Sequence, residues 1–419
     1  MSFNAPLRVG VLVDLERGDG AGGHVKCWEH FAKAAVGFAN QLNLTVHFQG
    51  NRDEEITLGP NTRIVTLRPL FSTKRLFFLR NIADYTDLAP GHPRLKKYLK
   101  DYDVIHTTDG FFAYAQSAAR FSRKHSVPLV NSLHTNTPGF TKVYTERTIR
   151  RIFGTGHAER LLIERLRLPE RCSNGMQKKL SKHLAQCCSI LTSGKESSVI
   201  HAPPNTPLTQ LRRGIDKTLF NPDKRDPTKL RRRYGIPQYK PIIAFVGRLD
   251  GSKNVMTLVN AVRILNRGSR GVHTIFAGKG YYEDEIRALL GTNATFTGTL
   301  TAPDVALLNA SSDLFAFPST LEVWPNAVLE AKASGAAILV APGGGDIYVE
   351  HNGKDGLIIK EPSSKVWAHE IKTLLDNPDR IAEFRIAARQ DVESMRLSWA
   401  DVLQQDLIPV WRKAAGISV

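Results

Sequence analysis

Two pairs of charged side chains in the second half of the sequence have the type and spacing to bind a phosphorylated ligand that also carries hydroxyl groups. Arg248 and Lys253 follow a buried-strand pattern across a short turn, and two such cations suit a diphosphate because they can neutralise its charge. Glu322 and Glu330 lie on either side of Pro325. Because carboxylates repel a phosphate, we expect both glutamates to face sugar or ribose hydroxyls instead.

The two glutamates belong to a stretch, Phe315–Asp346, whose pattern predicts a strand, a loop, a helix, a second strand and a glycine turn. The first apolar run ends at Pro318, and Pro325 opens a helical segment that closes at Gly335. Proline favours the first helical position because its missing N–H is not needed there. The loop before it should therefore cover a helix N-terminus, where free amides and the helix dipole favour anions.

This stretch closely resembles the E-x7-E signature of the retaining glycosyltransferases of the large sucrose-synthase-like family, family 4 in the usual classification. A second segment, FVGRLDGSKNVMTLVNAV at Phe245–Val262, resembles the phosphate-binding segment of that family. The resemblance implies an α/β protein of the GT-B fold. Its two Rossmann-like domains would face each other across a cleft, and a C-terminal helix would cross back to the first domain.

The resemblance also implies the reaction, which is transfer of a sugar from a nucleotide diphosphate donor to an acceptor with retention of anomeric configuration. No carboxylate in the sequence stands out as a nucleophile against the anomeric carbon. We therefore expect front-face departure of the nucleotide diphosphate and attack by the acceptor on the same side. Catalysis would come mainly from positioning and from stabilisation of charge.

Four catalytic residues follow from the resemblance. Arg248 and Lys253 would hold the diphosphate, and Glu322 would take hydroxyls of the donor sugar. His134 would position the sugar from the other domain; it closes a predicted strand at its carboxyl end, where open α/β sheets place their sites. Taken by itself, a lone histidine is more often structural.

Donor-binding positions are implied in the same way. Glu330 would take the ribose hydroxyls, and backbone amides would supply most other contacts to the phosphates and the base. These further positions are Gly22, Gly23, Gly298, Thr299, Leu300, Val323, Trp324, Pro325 and Asn326. Since backbone contacts leave side chains free, the base cannot be read from the sequence. The Trp324 ring departs from the glycine often found there, and it would either shape the sugar pocket or pack on the helix.

The first half of the sequence also reads as Rossmann-like. A buried-strand pattern at Leu7–Asp14 precedes a glycine turn and a helical stretch at Val25–Asn40, and strand and helix patterns then alternate. The glycine spacing is not the dinucleotide fingerprint, so no nicotinamide cofactor is expected. No cluster of metal-ligand residues stands out, and two cations with a helix end can replace a divalent ion. We therefore expect a metal-independent enzyme without a cofactor.

We place the domain boundaries by these patterns. Residues 1–210 form a predicted acceptor-binding domain, residues 211–395 a nucleotide-sugar-binding domain, and residues 396–419 a helix that returns to the first domain. The segment LRRGIDKTLFNPDKRDP resembles the interdomain segment of the family, but Arg213 stands where the family usually has asparagine. Arg213 could change the entrance to the cleft in a way that the sequence does not specify.

The amino-acid composition limits the class of protein to which the chain can belong. The 419 residues are 42% hydrophobic and 23% charged, which suits a globular protein of two domains. The sequence contains no apolar run of membrane-spanning length and does not start like a signal peptide, so a cytoplasmic location is expected. Cys27, Cys172, Cys187 and Cys188 lack metal or disulfide spacing and are interpreted as reduced thiols.

The net charge of +17 is concentrated in the first half, where 29 lysines and arginines oppose 17 aspartates and glutamates up to Asn205. Two basic runs with interleaved apolar residues carry it: Lys74, Arg75, Arg80, Arg94, Lys96, Lys97 and Lys100, and Arg147, Arg150, Arg151, Arg160, Arg165, Arg167, Arg171, Lys178, Lys179 and Lys182. Most single residues of this kind lie on solvated helix faces. Collectively they favour binding to an anionic membrane surface, so we expect peripheral attachment to a membrane. The expected acceptor is then a glycolipid or a lipid-linked glycan in cell-envelope polysaccharide synthesis.

Four other functions fit parts of the sequence. The same fold could support a transferase that acts on a soluble small molecule, or a sugar-nucleotide epimerase. A nucleic-acid binder would suit the basic charge, but no nucleic-acid-binding module is recognised and we expect no nucleic-acid partner. A non-catalytic partner subunit is disfavoured because Arg248, Lys253, Glu322 and Glu330 are all present. The oligomeric state is not indicated.

Overall fold

The computed structural model describes residues 5–18, 20–76, 85–192, 206–268 and 271–417. The chain divides into two compact units. The first unit comprises Met1–Gly214 and Trp399–Val419, and the second comprises Ile215–Ser398. The sequence placed the corresponding boundaries at residues 211 and 396.

Within the described residues, the first unit contains an eight-stranded sheet in the order β3-β4-β2-β1-β5-β6-β7-β8. Its strands are β1 (Leu7–Glu16), β2 (Leu42–Gln49), β3 (Glu54–Gly59), β4 (Thr62–Leu67), β5 (Val104–Thr107), β6 (Leu129–Ser132), β7 (Ser189–Thr192) and β8 (Leu208–Gln210). Neighbouring strands are parallel except β3, which pairs antiparallel with β4. Strands β1, β5 and β6 are buried over most of their length because helices cover both faces of the sheet.

The helices of residues 5–192 connect these strands. They are α1 (Gly23–Ala35), α2 (Lys96–Leu99), α3 (Ala113–His125), α4 (Thr137–Phe153), α5 (His157–Arg160) and α6 (Leu168–Leu184). A π-helical turn, Leu161–Arg165, follows α5. The helix predicted for Val25–Asn40 thus begins slightly earlier and continues after Ala35 as a 3₁₀ turn, Val36–Phe38.

The second unit has a six-stranded, fully parallel sheet in the order β11-β10-β9-β12-β13-β14 among its described residues. The strands are β9 (Ile242–Val246), β10 (His273–Ala277), β11 (Ala294–Gly298), β12 (Leu314–Phe317), β13 (Ile338–Val340) and β14 (Leu357–Ile358). The chain runs outward from β9 to β11 and then crosses to β12 on the other side. Such a reversal leaves a crevice at the carboxyl ends of β9 and β12, where open α/β sheets bind ligands.

Seven helices in the described part of the second unit flank this sheet: α7 (Pro227–Tyr234), α8 (Val255–Leu265), α9 (Glu283–Leu290), α10 (Ala302–Ser311), α11 (Asn326–Ala333), α12 (Ser364–Leu375) and α13 (Pro378–Met395). Pro325, predicted as the first helical residue, is instead the N-cap of α11. Lys253 closes a 3₁₀ turn, Gly251–Lys253, so α8 begins only at Val255.

The C-terminal segment belongs to the first unit, as the predicted fold requires. It consists of α14 (Trp399–Val402), a π-helical turn (Leu403–Leu407) and α15 (Ile408–Ala414). Trp399 packs edge-on against Phe31 of α1, and Arg212 forms an ion pair with the buried Asp406. Two Rossmann-like α/β units with parallel sheets confirm the predicted fold class.

In the described part of the chain, no helix combines the length and apolar character needed to cross a bilayer. The first basic run of the sequence, which begins at Lys74, includes the apolar residues Phe77, Phe78 and Leu79. These three residues and Arg80 lie outside the described residues.

Candidate active site

The carboxyl edge of the second sheet brings backbone loops into close contact. Gly247 follows β9 and Gly278 follows β10, and both have positive φ, at 155° and 144°. A Cβ atom on Gly278 would lie 2.0 Å from the Gly247 carbonyl oxygen, so only glycine allows this approach. The turn that carries Arg248 is therefore packed directly on the next strand connection.

Arg248 is held by the turn that follows it. Its Nε donates to Asp250 at 3.0 Å, and its Nη2 donates to the Ser252 hydroxyl at 3.2 Å. Asp250 also accepts from the Ser252 amide at 2.9 Å. Burial disfavours the Asp250 carboxylate, but Arg248 and Ser252 outweigh that effect and hold its pKa below the usual value. Asp250 and Ser252 were not predicted, although an Asp-Gly-Ser turn just before Lys253 is a recognisable signal.

Lys253 and Glu322 form an ion pair. The lysine Nζ donates to Glu322 Oε1, and the Ser319 hydroxyl donates to the same oxygen at 2.6 Å. The Lys253 and Glu322 side chains are only 14% and 12% exposed. The Glu322 amide donates to the Gly343 carbonyl at 2.9 Å, which anchors the loop after β12 to the turn after β13. The sequence predicted both residues for the site but did not predict this contact, and it missed Ser319.

The loop from Val323 to Asn326 leads directly into α11. Val323 is buried, and the Trp324 ring lies 5.7 Å from the Tyr348 ring at an angle of 43°. Pro325 caps α11 with extended backbone, φ −75° and ψ 96°. The Trp324 ring is thus in contact with Tyr348, and both roles predicted for this ring stay predictions.

Glu330 lies one turn into α11 and is half-buried. Burial raises the pKa of its carboxyl to about 7. No ion-pair partner for Glu330 occurs among the described residues. A carboxylate in this position can accept hydrogen bonds from hydroxyl groups without competition from a neighbouring cation.

The three predicted base-binding residues follow β11. Gly298 ends the strand with φ 65°, and its carbonyl accepts from the Gly278 amide at 2.8 Å. Thr299 is exposed, and Leu300 packs partly against the core of the unit. The Gly278 contact connects this turn to the strand next to β9.

Gly22, Gly23 and His134 lie in the first unit. Gly22 is the N-cap of α1 and Gly23 its first residue, and no acidic side chain occupies the first turn. His134 follows β6 by two residues and is 6% exposed. The structure therefore groups Arg248, Lys253 and Glu322, with the loop leading into α11, at one edge of the second sheet. It places Gly22, Gly23 and His134 in the first unit instead.

His134 has a dense polar environment. Its Nε2 lies 2.7 Å from the Ser132 hydroxyl and 3.3 Å from the Trp28 indole nitrogen, and its ring stacks on His24 at 4.4 Å. Arg213 Nη1 lies 3.3 Å from its Nδ1. Burial, with smaller effects of His24 and Arg213, holds the pKa of His134 well below the usual value, so the ring is neutral at pH 7.

Among the described residues, no group of three or more histidine, cysteine, aspartate or glutamate side chains could hold a metal ion. The four cysteines are free thiols. Metal independence of the reaction stays a prediction.

Comparisons with known proteins agree with this architecture. Residues 226–391 match the family model of glycosyl transferases group 1. The sulfoquinovosyl transferase SQD2 of Arabidopsis thaliana is 28% identical over 70% of this chain and 53% of its own length. A D-inositol 3-phosphate glycosyltransferase of Corynebacterium glutamicum is 31% identical over 46% of this chain and 48% of its own length. The chain thus spans about half the length of these relatives.

A similar solved structure covers nearly the whole chain. Sucrose-phosphate synthase from Thermosynechococcus elongatus matches with a TM-score of 0.73 and 16% identity, over 98% of this chain and 100% of that chain. At this identity the likeness establishes the fold.

Proposed function

We propose that this chain, whose residues 226–391 match the family model of glycosyl transferases group 1, transfers a sugar from a nucleotide diphosphate donor to an acceptor hydroxyl with retention of configuration. The single observation that carries the proposal is the cluster of Arg248, Lys253 and Glu322 where the sheet order reverses. Open α/β sheets bind nucleotides at such a point.

The chemistry requires the bond between the anomeric carbon and the diphosphate oxygen to break, with its electron pair leaving on the nucleotide diphosphate. Arg248 and Lys253 stabilise that growing charge, assisted by the N-terminus of α11. The acceptor hydroxyl attacks from the face that the leaving group vacates, and its proton passes to the departing phosphate oxygen. No carboxylate in the sequence stands out as a nucleophile, which favours this front-face route.

Each remaining residue has a binding role in this proposal. Glu322, fixed by Lys253 and Ser319, binds hydroxyls of the donor sugar, and Glu330 binds the ribose. Backbone groups of Gly298–Leu300 hold the base. His134, Gly22 and Gly23 are the further donor-binding residues that the resemblance implies. The two cations and the helix end carry the charge that a divalent ion would otherwise carry, so we propose a metal-independent reaction.

A donor panel tests the activity. The purified chain is incubated with UDP, GDP and ADP sugars in EDTA, and nucleotide release is measured for wild type, Lys253→Ala and Glu322→Ala. Lys365→Ala, an exposed lysine on α12, is the matched control. Release from one donor that both site variants lose and the control keeps is the expected result. Absence of release from every donor, with membrane extract present as acceptor, would favour a non-catalytic binding protein.

We propose a membrane glycolipid as acceptor, with the protein bound peripherally at the cytoplasmic face. Support comes from the end of α4 and the π-helical turn, where Ile152, Phe153 and Leu161 are 55%, 51% and 45% exposed. Four exposed arginines lie within four positions of these residues in the sequence: Arg150, Arg151, Arg160 and Arg165. A segment that combines exposed apolar side chains with nearby cations suits insertion between anionic headgroups.

Liposome flotation tests the membrane proposal. Wild type should float with vesicles that contain anionic lipid and remain below with neutral vesicles. The double substitution Ile152→Ser/Phe153→Ser should reduce flotation, whereas Ile386→Ser, at a 60% exposed isoleucine in the second unit, should not. Equal recovery in the soluble fraction with both vesicle types would refute the attachment.

A soluble phosphorylated acceptor is the second candidate, because a relative that matches part of the chain is named a D-inositol 3-phosphate glycosyltransferase. Acceptor dependence separates the two, since a soluble acceptor would stimulate nucleotide release without membranes. An epimerase would instead convert the donor to an isomeric nucleotide sugar without releasing nucleotide.

A further inference from the structure

Arg213 is a buried cation without a carboxylate partner among the described residues. The residue is 5% exposed, its Nη1 contacts the Cys27 thiol and His134 Nδ1, and its Nε is buried without an acceptor. The neighbouring Arg212 pairs with Asp406 instead. A buried guanidinium normally requires a paired anion, because its desolvation is costly.

The thiol beside Arg213 does not supply the missing charge. Burial raises the pKa of Cys27 to about 11, although Arg213 opposes this effect. Cys27 is therefore a neutral thiol at pH 7, and a thiol sulfur is only a weak acceptor. The positive charge of Arg213 stays uncompensated.

His134 does not compensate it either, because a chain of hydrogen bonds fixes its tautomer. The Trp411 indole N–H can only donate, and it donates to His106 Nδ1 at 2.9 Å. Burial lowers the pKa of His106 to about 3, so this ring is neutral and carries its proton on Nε2. That Nε2–H donates to the Ser132 hydroxyl at 2.8 Å.

The Ser132 hydroxyl then donates to His134 Nε2 at 2.7 Å, and the Trp28 indole donates to the same nitrogen. An acceptor Nε2 in a neutral ring leaves the proton on Nδ1. His134 Nδ1–H therefore faces the Arg213 guanidinium, 3.3 Å away, with a donor on both sides. The Nδ1–H donor has no acceptor here, and the guanidinium Nη1 has only the Cys27 sulfur, which is a weak acceptor.

Two further features at this place favour a negative group. His24 stacks on His134 and has an Nε2 atom that is buried without a partner. His24 also lies in the first turn of α1, whose N-terminus carries no acidic side chain. The positive end of the helix dipole therefore adds to the charge of Arg213.

We propose that Arg213 and His134 Nδ1–H form a subsite for an oxyanion group of a substrate, which is a phosphate, sulfonate or carboxylate. The group accepts from the guanidinium and from the imidazole, and it neutralises a cation that the fold leaves unpaired. This inference rests on the proposed function, because the oxyanion is taken to belong to a substrate of a nucleotide-sugar transferase. The source is either the donor phosphates or an acidic group on the sugar or acceptor.

NMR of histidine side chains in ¹⁵N-histidine-labelled protein tests the subsite with inorganic phosphate and without turnover. We expect His134 in the Nδ1–H tautomer, assigned with His134→Asn, and a shift of its resonances as phosphate is added. Arg213→Gln should weaken the phosphate affinity seen at His134 by about tenfold or more, since a charge-assisted hydrogen bond is lost. Arg213→Lys should retain part of it, and Arg123→Gln, at an exposed arginine on α3, should retain all.

Thermal unfolding controls for misfolding. In anion-free buffer Arg213→Gln should be at least as stable as wild type, because an unpaired buried charge is removed, whereas added phosphate should stabilise wild type more. The subsite is wrong if phosphate leaves the His134 resonances unchanged, or if it shifts them equally in wild type and Arg213→Gln.

A second titration separates the two sources by comparing UDP with a sugar phosphate that lacks a nucleotide. Loss of UDP affinity in Arg213→Gln assigns the subsite to the donor, and loss of sugar-phosphate affinity alone assigns it to an acidic sugar or acceptor. Either dependence supports the subsite, and equal affinity of both ligands for both proteins overturns it. Phosphate binding at His134 without nucleotide release from any donor would retain the subsite and refute the proposed function.

Discussion

Lys253 Nζ donates to the Glu322 carboxylate and so joins the turn after β9 to the loop after β12, across 69 positions of sequence. The lysine that is proposed to hold the donor diphosphate is thus already neutralised by the glutamate that is proposed to hold the donor sugar. Substitutions at the two positions should therefore affect ligand binding in opposite directions.

Glu322→Gln removes the negative charge and keeps an acceptor for Lys253. We expect the affinity for a nucleoside diphosphate without sugar to stay within about threefold of wild type or to rise, because Lys253 becomes free to bind phosphate. Lys253→Met should lower that affinity by about tenfold or more. Calorimetric titration measures both, with Lys365→Met as control. Equal weakening in the two site variants would contradict the opposed roles.

Glu330 should make stability depend on pH. Burial raises the pKa of this carboxyl from 4.5 to about 7, so the folded state holds the proton more tightly than the unfolded state. The resulting stabilisation is complete below pH 4.5 and is lost as pH rises through about 7. The loss in free energy of unfolding should be roughly 2 kcal/mol after allowance for solvent screening. Glu330→Gln, a neutral isostere, should not show this loss. Urea denaturation across that pH range checks it, and parallel pH profiles for both proteins would argue against it.

Lys332 should be a major stabilising residue of the second unit. Its side chain is fully buried, and its Nζ lies 2.6 Å from Asp355 and 2.7 Å from Asp391. Lys332→Met would leave these carboxylates without the lysine charge, and we expect a cost of about 3–5 kcal/mol in free energy of unfolding. Adding Asp355→Asn should recover part of that loss. Chemical denaturation measures both, and a cost no larger than that of exposed Lys365→Met would disprove the role.

Trp411 should control the tautomer of His106. Trp411→Phe removes the indole donor to His106 Nδ1, so we expect His106 to change from the Nε2–H form to a mixture, at a cost of about 1 kcal/mol. Histidine ¹⁵N chemical shifts report the tautomer. Trp367→Phe, at a tryptophan equally buried in the second unit, is the control for lost volume. An unchanged His106 spectrum in Trp411→Phe would show that another group fixes the ring.

The sequence by itself determined the strands, their glycine turns and the class of fold. Runs such as Ile242–Val246 and Leu314–Phe317 are apolar throughout because strands of a parallel sheet are covered on both faces, and that requirement is local to each run. Arg248 and Glu322 follow the carboxyl ends of these two strands in the sequence, but it was the resemblance to the family that assigned both to one site, and the pairing of the strands came from the structure.

Only the tertiary structure decided which charges meet. Lys253 pairs with Glu322, and Lys332 is buried between two aspartates, although these partners are far apart in the chain. Arg213 is buried with no carboxylate partner among the described residues, which also depends on how distant segments pack. The energy of such contacts depends on distance and burial, which packing sets and which residue type does not encode. The sequence therefore identified Arg213 as a departure from the family pattern, but its unpaired charge became visible only in the fold.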